Sequence, residues 1–431
     1  MSLKSSPQLR RELGVVGATV MGLGSIIGTG VFVSIGIAAG IAGSAVILAV
    51  IIGALVAICN GLNSAQLAAN HPVSGGSYEY GYKYLNSWLG FTAGWMFLLA
   101  KSASAATAAL GFAGYFLNAT GLGGRGLLIP LALAAVFVIT AVVLNGIRRS
   151  NRVNIAIVSI SVFSLLFFVF GGIPTAITAG RENLTPFNGS FSTVLHASAL
   201  MFVAYTGYGR IATLGEEAKQ PRKTIPKAII VTMIVTMLIY VGVATIAVAG
   251  VGAESLGKSA LTGQAAPLEV AVRSFGIPGG AQILAIGAIF AMLGVLLNLI
   301  LGLSRVLLAM GRRRDMPRIF ARLNQSGTTP TPAVIAVSTI ISILVLIGNV
   351  KTTWSFSAFT VLIYYAVTNL AAFSLPRHER LYPKWLSILG LSACIFLAFW
   401  VEPFIWQVGL ALIVAGLIWH AVAKMLADER R

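Results

Sequence analysis

Charged residues are scarce in this sequence, and acidic residues are the scarcest of them. Only 10% of the 431 residues are charged, with 12 aspartates and glutamates against 30 lysines and arginines, whereas a soluble domain carries about 25%. So few charges leave too little polar surface for a water-soluble fold of this size. The two cysteines and four histidines show no metal-ligand spacing, so we predict no disulfide framework, no metal site and no cofactor.

Apolar residues make up 57% of the sequence and come in long runs. Runs of about 18 or more apolar residues with almost no charge predict membrane-spanning helices. The sequence therefore predicts an all-α polytopic membrane protein with 12 transmembrane helices in a single membrane domain over residues 1–431. Eleven spans is the alternative, because only Glu402 and Pro403 separate the last two runs. The predicted spans are 13–39, 43–68, 87–118, 126–146, 154–178, 193–213, 227–251, 279–309, 331–348, 353–375, 384–401 and 402–425.

The net charge of +18 would suit a nucleic-acid partner, but the distribution of the basic residues favours a membrane topology. With the N-terminus placed inside, 23 of the 30 lysines and arginines fall on the inner side and five on the outer side. Such an excess marks the cytoplasmic face. We predict an integral protein of the cytoplasmic (inner) membrane with both termini cytoplasmic, membrane lipid as a partner and no nucleic acid. The polar residues 1–12 and the length of the first span predict no cleaved signal peptide.

Glycine interrupts two of the predicted spans. The first contains Gly24-Ser-Ile-Ile-Gly-Thr-Gly30 and the sixth contains Tyr205-Thr-Gly-Tyr-Gly209. Paired interruptions in matching positions of two halves are typical of transporters built from inverted repeats, which here sets helices 1–5 (about 13–178) against helices 6–10 (about 193–375) and leaves helices 11–12 (about 384–425) peripheral. The alternative is a pair of glycine kinks that only let helices pack closely. The candidate break residues are Gly24, Gly28, Gly30, Gly207 and Gly209.

A helix broken inside a membrane leaves backbone N–H and C=O groups without partners, at a cost of several kcal/mol each. Such a break persists where water or a ligand supplies the partners, because the N-terminal end of a half-helix attracts an anion and the C-terminal end a cation. A zwitterionic amino acid needs both. The predicted carboxylate site consists of the N–H groups near Thr29, Gly30 and Val31 together with the Thr29 hydroxyl. The predicted ammonium site consists of the carbonyl groups of Ser25, Ile26, Phe202, Val203 and Thr206.

Several motifs, in the same order, resemble those of the amino acid–polyamine–organocation (APC) family of permeases over roughly residues 12–375. They are the first-span motif 24–32, the inner loop Pro72-Val-Ser-Gly-Gly-Ser-Tyr-Glu-Tyr80, and the stretch 202–221 followed by Ile225-Pro226. The resemblance implies a leucine-transporter-like (LeuT-like) five-plus-five inverted repeat with broken helices 1 and 6, working by alternating access. The family contains both symporters and exchangers. The resemblance also implies that the substrate backbone is held at Ile26, Thr29, Gly30, Val203 and Thr206.

Three positions depart from that family pattern. Many members carry an acidic residue after the aromatic of the sixth-helix break, where this sequence has Gly209 followed by Arg210. Many proton-coupled members carry a lysine in the fifth helix, where the spacing from Ser150 leads to Ser161. Sodium-coupled relatives of the fold use hydroxyl groups on helix 8, and residues 291–294 offer none. The residues that couple transport to an ion in many family members are therefore not found here, and the sequence does not identify the driving ion.

Polar and aromatic residues inside the spans are further candidates for coupling or gating. Lys101 lies about 14 residues into its span, where an ionisable group is a functional hypothesis by default. It is a candidate proton carrier, and snorkelling to the interface is the alternative. Arg210 is a candidate partner for a substrate carboxylate, and the alternative is a gate ion pair with Glu216 or Glu217. The candidate gating aromatics are Tyr205 and Tyr208.

Taken together, these features predict secondary active transport of an amino acid by alternating access. The absence of an unpaired acidic residue along the path favours a small or apolar neutral substrate, with the proton as coupling ion. The alternatives are an amino acid exchanger without ion coupling, a cationic amino acid permease, an inorganic-ion carrier of the same fold, and a nutrient sensor with a transporter fold. No catalytic motif such as His-Glu-x-x-His occurs, so we predict no enzyme activity and no catalytic residue.

Overall fold

The computed structural model describes residues 13–73, 75–122, 126–146, 151–185, 187, 189–212, 218–261, 265–325 and 327–428. Over these ranges the chain forms α-helices joined by short connections. The helices are α1 (Val15–Ile26), α2 (Ile35–Ala42), α3 (Val46–Asn70), α4 (Ser77–Tyr84), α5 (Ser87–Ala119), α6 (Leu128–Leu144), α7 (Asn151–Leu184), α8 (Phe191–Tyr205), α9 (Gly209–Ala212), α10 (Pro221–Val251), α11 (Ala253–Leu261), α12 (Pro267–Arg273), α13 (Gly280–Arg313), α14 (Thr331–Leu346), α15 (Val350–Phe373), α16 (Lys384–Ala398) and α17 (Pro403–Asp428).

Each predicted apolar run coincides with a helix, and the first and sixth runs coincide with two helical segments each. Seven helical stretches of the described chain are long and apolar enough to cross a membrane. The prediction of an all-helical membrane protein with many spans is confirmed, whereas the count of 12 crossings stays a prediction. The shorter apolar helices are Val15–Ile26, Leu128–Leu144, Thr331–Leu346 and Lys384–Ala398.

Local side chains determine where several of the helices begin. Asn86, Ser190 and Asn349 precede α5, α8 and α15, and each side-chain oxygen accepts a hydrogen bond from the backbone N–H three residues later, at 2.9, 3.2 and 3.1 Å. This bond satisfies one of the N–H groups that a helix start leaves without a partner. Helices α10, α12 and α14 instead carry proline in the first turn, where no intrahelical N–H bond is lost.

The two halves of the chain pack in the same pattern. To compare them, each helix of the first half is matched with one of the second: α1 with α8, α3 with α10, α5 with α13, α6 with α14, and α7 with α15. If each helix is replaced by its match, each main contact between two of these helices becomes another contact that is also present. The α5–α15 contact then maps onto α13–α7, α3–α8 onto α10–α1, α7–α10 onto α15–α3, and α5–α6 onto α13–α14. The α3–α10 and α5–α13 contacts map onto themselves. Helices α16 and α17 lie outside this exchange and pack on α15, with α16 also on α3 and α17 on α5.

A buried polar network joins α3 to α15 and α16. Asn369 Nδ2 donates to Asn60 Oδ1 at 2.6 Å, and Asn63 Nδ2 donates to Asn369 Oδ1 at 2.7 Å. Gln66 and Ser387 both donate to Asn63 Oδ1, at 2.9 and 2.8 Å. Buried polar groups at membrane depth need such partners. The network therefore fastens the peripheral helix α16 to two helices of the core.

A glutamate, a lysine and a histidine meet at the end of the bundle where α15 begins. Glu402, between α16 and α17, lies 2.9 Å from Lys351 Nζ on α15 and 3.3 Å from His196 Nε2 on α8. All three belong to the face that the charge distribution predicts to be external. We call this group the outer clamp, because it links α8 and α15 to the peripheral helices.

A second polar group closes the opposite end of the bundle. Asp315, which follows α13, is buried, and its carboxylate accepts hydrogen bonds from Tyr78 Oη at 2.5 Å and from Tyr82 Oη at 2.7 Å. Trp419 Nε1 of α17 donates to the Asp315 carbonyl oxygen at 2.8 Å, and His420 Nδ1 lies 3.4 Å from the carboxylate. We call this group the inner cluster, since it joins α4, α13 and α17.

Candidate functional site

The first span is broken directly beside its glycine motif. Helix α1 ends at Ile26, Ile27 is extended with φ −72° and ψ 110°, and a π-helical turn begins at Gly30 and leads into α2. The prediction of a break at Gly24 is wrong, because Gly24 lies inside α1. An added Cβ there would come within 2.7 Å of Asn154 Oδ1 on α7, so this glycine serves the close packing of α1 on α7.

The sixth predicted span is interrupted by a short 3₁₀ turn and not by an extended residue. Helix α8 ends at Tyr205, a 3₁₀ turn covers Thr206–Tyr208, and α9 starts at Gly209. A 3₁₀ turn has a different hydrogen-bonding pattern from an α-helix, so the carbonyl groups at the end of α8 are displaced from the regular ladder. The predicted interruption at Gly207 and Gly209 thus coincides with an irregular segment.

The two interrupted segments lie against each other, and glycine makes that approach possible. A Cβ added at Gly207 would lie 2.3 Å from the carbonyl oxygen of Ser25 and 2.6 Å from the backbone nitrogen of Ile26. A Cβ added at Gly30 would lie 2.6 Å from Ala204 Cβ. The backbones of the two breaks are therefore in direct contact, with no room for a methyl group between them.

A cavity of about 40 Å³ lies between the two breaks. Six of the eight predicted substrate-binding residues line it, and Val31 and Phe202 do not. Both of these are fully buried, and the Phe202 ring packs edge-on against Tyr365 with centroids 5.7 Å apart. The predicted residues at the cavity are Ser25, Ile26, Thr29, Gly30, Val203 and Thr206.

Sequence reasoning missed part of the cavity wall. Ser104 follows Lys101 by three residues on α5, so helical spacing alone could have placed both on one face. The apolar wall comes from α13 and α15, and nothing in a single sequence marks which face of those helices points to the breaks. The additional lining residues are Ser104, Ala204, Gly207, Val295, Leu299 and Trp354.

The carbonyl groups predicted to bind an ammonium group already have hydroxyl partners. Tyr240 Oη donates to the Ile26 carbonyl oxygen at 2.9 Å, and Tyr365 Oη donates to the Thr206 carbonyl oxygen at 3.1 Å. The Thr206 hydroxyl donates to the Val203 carbonyl oxygen at 2.8 Å. The Val203 carbonyl oxygen also accepts the backbone N–H of Thr206, and the Thr206 carbonyl oxygen also accepts the backbone N–H of Gly209, so both lone pairs of each are occupied. A carbonyl oxygen has two lone pairs, and the Ile26 carbonyl oxygen, oriented by Tyr240, keeps one for a ligand.

The Thr29 hydroxyl is the clearest polar group without a partner at the cavity. Its Oγ1 atom is buried and makes no hydrogen bond to any residue that the structure describes. Thr29 precedes the helical turn that starts at Gly30, and the N–H groups of Val31 and Phe32 in that turn already donate to the Gly28 carbonyl oxygen at 3.1 Å each. The buried Thr29 hydroxyl at the start of this turn is arranged to bind an anion.

Lys101 points into the cavity. Its Nζ atom donates to Thr206 Oγ1 at 2.8 Å, and the side chain is among those that line the cavity. The ammonium group therefore reaches the interrupted segment after α8, which favours a role at the cavity over snorkelling. Within the described residues no carboxylate lies within salt-bridge distance of it. A positive charge buried in this way calls for an anionic partner.

The other predicted gating residues lie beside the cavity rather than on it. Arg210 is exposed at the end of the interrupted segment, and its proposed partners Glu216 and Glu217 lie outside the described residues. Tyr205 Oη donates to the Val50 carbonyl oxygen at 3.3 Å, which fastens α8 to α3. The Tyr208 ring packs on Tyr365 with centroids 5.3 Å apart.

Ser161 occupies the α7 position at which the family pattern suggested a lysine. Its hydroxyl donates to the carbonyl oxygen of Ile157 at 2.8 Å and lies 3.4 Å from the carbonyl oxygen of Gly287. It therefore joins α7 to α13, and it is not among the residues that line the cavity.

Aromatic residues of α15 bound the cavity on both sides. Trp354 lines it and donates from Nε1 to the Leu200 carbonyl oxygen of α8 at 3.0 Å. Tyr365 lies 11 residues later, about 16 Å along the helix, where it bonds to the Thr206 carbonyl group. The cavity thus lies between one aromatic contact near the outer clamp and another on the side of the inner cluster.

An all-helical membrane fold with a small cavity between two interrupted helices is typical of a solute transporter. Comparison with known proteins gives the family. Residues 17–428 match the amino acid permease family, and the chain belongs to that family, within the APC superfamily. Amino acid transport is the function that this membership supports.

The most similar relatives include characterised and uncharacterised transporters. An uncharacterized transporter of Mycobacterium tuberculosis is 35% identical over 424 residues, covering 98% of this chain and 94% of the relative. The branched-chain amino acid permease of Bacillus subtilis is 31% identical over 342 residues, covering 75% and 71%. The methylthioribose transporter of the same species is 30% identical over 343 residues, covering 75% and 72%.

Proposed function

We propose that this chain is a secondary active transporter that carries neutral amino acids across the cytoplasmic membrane by alternating access, coupled to protons. The observation that carries the proposal is the cavity between the two breaks, where the unpartnered Thr29 hydroxyl and the Lys101 ammonium group face the same space. Both groups attract an anion, and the neighbouring carbonyl groups attract a cation. A zwitterion has both charges at the required separation of a few atoms.

The substrate carboxylate binds at the start of the Gly30 segment, to the Thr29 hydroxyl and the backbone N–H groups of Thr29 and Gly30. The substrate ammonium group binds to the carbonyl oxygens of Ser25 and Ile26 at the end of α1. Hydrogen bonds that involve a charged group contribute about 1.5–3 kcal/mol each. A few such bonds are enough for the modest affinity that a carrier needs to release its substrate.

The cavity favours neutral substrates. No acidic residue is among those that line it, and Lys101 adds a positive charge, which disfavours cationic amino acids. Val295, Leu299 and Trp354 supply an apolar wall, which suits an apolar side chain. The similarity to a permease named for branched-chain amino acids supports the same substrate class.

Alternating access in this chain would use two related halves. The exchange of packing contacts between helices α1–α7 and α8–α15 supports a five-plus-five inverted repeat. We infer 12 membrane crossings in one transport domain over residues 1–431, with α16 and α17 peripheral. The outer clamp then faces the exterior, and the inner cluster and both termini face the cytoplasm, as the excess of basic residues predicts.

Lys101 is the proposed proton carrier. Burying its charge is costly unless an anion accompanies it, so protonated Lys101 and the substrate carboxylate stabilise each other in the closed cavity. After the substrate leaves on the cytoplasmic side, the ammonium group loses its partner and releases the proton to water. Lys101 then returns uncharged with the empty cavity, and each cycle moves one proton with one zwitterion.

Exchange is the second candidate, and the same residue favours it. If Lys101 stays protonated, the empty carrier must bury an unpaired charge in order to reorient. Reorientation is then fast only with a substrate bound, which is the property of an obligate exchanger. The two candidates differ in whether a proton gradient drives net uptake.

Uptake by the purified protein in liposomes tests both candidates. The panel comprises labelled leucine, alanine, lysine and glutamate, each with and without an inward proton gradient. We expect saturable leucine and alanine uptake that the gradient stimulates in the wild type but not in Lys101→Met, with exchange against internal substrate retained in the variant. Lys258→Met, at an exposed lysine paired with Glu254, is the control. Gradient-independent uptake that requires internal amino acid establishes the exchanger, and no amino acid uptake under any gradient refutes the substrate class.

A further inference from the structure

An apolar groove of about 290 Å³ lies on the surface of the bundle between α3 and α10 and shares no lining residue with the cavity. Its walls are aliphatic and sulfur-containing side chains together with Tyr382. Helix α10 faces outward here, because Ile230 and Ile234 are 39% and 47% exposed. In a membrane protein such a surface faces the hydrocarbon of the bilayer. The groove residues are Ile58, Leu62, Ile229, Ile230, Met233, Ile234 and Tyr382.

Two lysines continue the groove toward the start of α10. Lys223, Lys227, Ile230 and Ile234 follow one another at spacings of four, three and four residues, which places them on one face of the helix. Both lysines are exposed, and neither has an acidic partner within salt-bridge distance in the described part of the chain. From Lys227 to Ile234 the helix rises about 10 Å. This face of α10 thus carries positive charge near the start of the helix and borders the apolar groove further along it.

We propose that this groove is a binding site for an anionic phospholipid. The phosphate group binds to Lys223 and Lys227, and one acyl chain lies in the slot between α3 and α10. The lysines lie nearer the start of α10 than the apolar groove does. A phospholipid in the adjacent leaflet has the same arrangement, with its charged headgroup at the membrane surface and its acyl chains deeper. Basic residues next to an apolar surface are the ordinary means of anionic lipid recognition. The proposal does not depend on the transported substrate.

The groove is rigid on the side of the loop between α15 and α16. The backbone N–H groups of Leu381 and Tyr382 point to Gln66 Oε1 at 3.3 and 3.4 Å, and Gln66 belongs to the buried network that includes Asn63. Opposite, α10 contacts the first break, because Tyr240 bonds to the Ile26 carbonyl group. A lipid in the slot therefore touches the core helix α3 on one side and, on the other, the helix that carries Tyr240.

Native mass spectrometry of the purified full-length protein tests the site. The protein is exchanged into detergent with equal amounts of phosphatidylglycerol and phosphatidylcholine, and the bound lipids are counted. We expect phosphatidylglycerol to be retained at least tenfold in excess by the wild type. Lys223→Gln combined with Lys227→Gln removes that excess, whereas Ile234→Trp, which fills the slot, lowers retention of both lipids.

Two matched variants control for charge and bulk. Lys258→Gln removes an exposed lysine on α11, which contributes no residue to the groove, and Ile343→Trp adds the same bulk at a 59% exposed position of α14. Both retain the wild-type lipids if the proposal is right. Equal retention of the two lipids by the wild type, or an unchanged phosphatidylglycerol excess in the double lysine variant, overturns it. Each variant is first shown to elute as a single folded species with the melting temperature of the wild type.

Discussion

Among the described side chains that line the cavity, the Thr29 hydroxyl is the polar group without a hydrogen-bond partner. It is buried and without a hydrogen bond among the described residues, while the neighbouring carbonyl groups of Ile26 and Thr206 accept hydroxyl donors from other helices. In an apolar membrane interior, such a group is retained when a ligand completes it. We therefore expect substrate affinity to depend on the Thr29 hydroxyl, whose removal should cost the empty protein little.

Thr29→Val tests this dependence. Valine keeps the shape of threonine but cannot donate a hydrogen bond to a carboxylate, and such a bond contributes about 1.5–3 kcal/mol. We expect the KM for uptake to rise roughly tenfold or more, with an unchanged melting temperature. Thr19→Val is the matched control, since the Thr19 hydroxyl is also unpartnered but does not line the cavity. Equal KM values for the two variants would contradict the assignment.

The sequence predicted the cavity residues whose position depends on backbone chemistry. It did not predict those whose position depends on tertiary packing. Glycine spacing and helix polarity predicted Thr29, Gly30, Val203 and Thr206 at the cavity. They also suggested Phe202, whose ring instead turns toward α15 and packs on Tyr365. Which face of a membrane helix points to a cavity depends on its neighbours, because almost every face of such a helix is apolar.

The two broken segments function as one element, because their glycines let the backbones touch. Gly207→Ala would place a methyl group 2.3 Å from the Ser25 carbonyl oxygen, which the rigid backbone cannot accommodate. We expect loss of transport and a lower melting temperature. Gly302→Ala, in α13 with nothing within 4 Å of the added Cβ, should retain both properties. Wild-type transport by Gly207→Ala would show that the close contact is not needed.

The outer clamp makes stability depend on pH. Burial raises the pKa of Glu402, but the hydrogen bond and charge of His196 and the hydrogen bond from Lys351 outweigh it, so the pKa of Glu402 is held below its usual range. Because the pKa of Glu402 is lower in the folded state than in the unfolded state, its charge stabilises the fold. This contribution is fully present at pH values above the unfolded-state pKa of about 4.3 and is lost as the pH falls below that value.

Glu402→Gln should therefore lower the free energy of unfolding by about 1 kcal/mol at pH 7. The difference from the wild type should shrink as the pH falls below about 4. Thermal unfolding in detergent across this range measures it. Glu254→Gln is the control, because Glu254 is fully exposed and solvent screens its ion pair with Lys258; its difference from the wild type should show the same trend much more weakly. A difference that is independent of pH would mean that the Glu402 charge does not matter.

The whole molecule has two polar ends, and their orientation in the membrane is a prediction from charge. Cysteine labelling checks it in a variant without the native Cys59 and Cys394. A cysteine in place of Lys258 should react with an impermeant maleimide on intact cells, and a cysteine in place of Lys384 should react only after permeabilisation. The reverse pattern would invert the topology and the assignment of the outer clamp.

The exchange of helix contacts between the two halves has a consequence for energetics. In the proposed alternating-access cycle, α3–α10 and α5–α13 map onto themselves, so that rearranging one half to open the first face would create contacts equivalent to those made when the other half opens the second. Helix packing alone would then give the two open forms nearly the same free energy. A resting preference for one face would come from the parts outside the exchange, namely α2, α4, α9, α11, α12, α16 and α17, with the outer clamp and the inner cluster. Substitutions there should shift the ratio of influx to efflux while leaving substrate recognition intact.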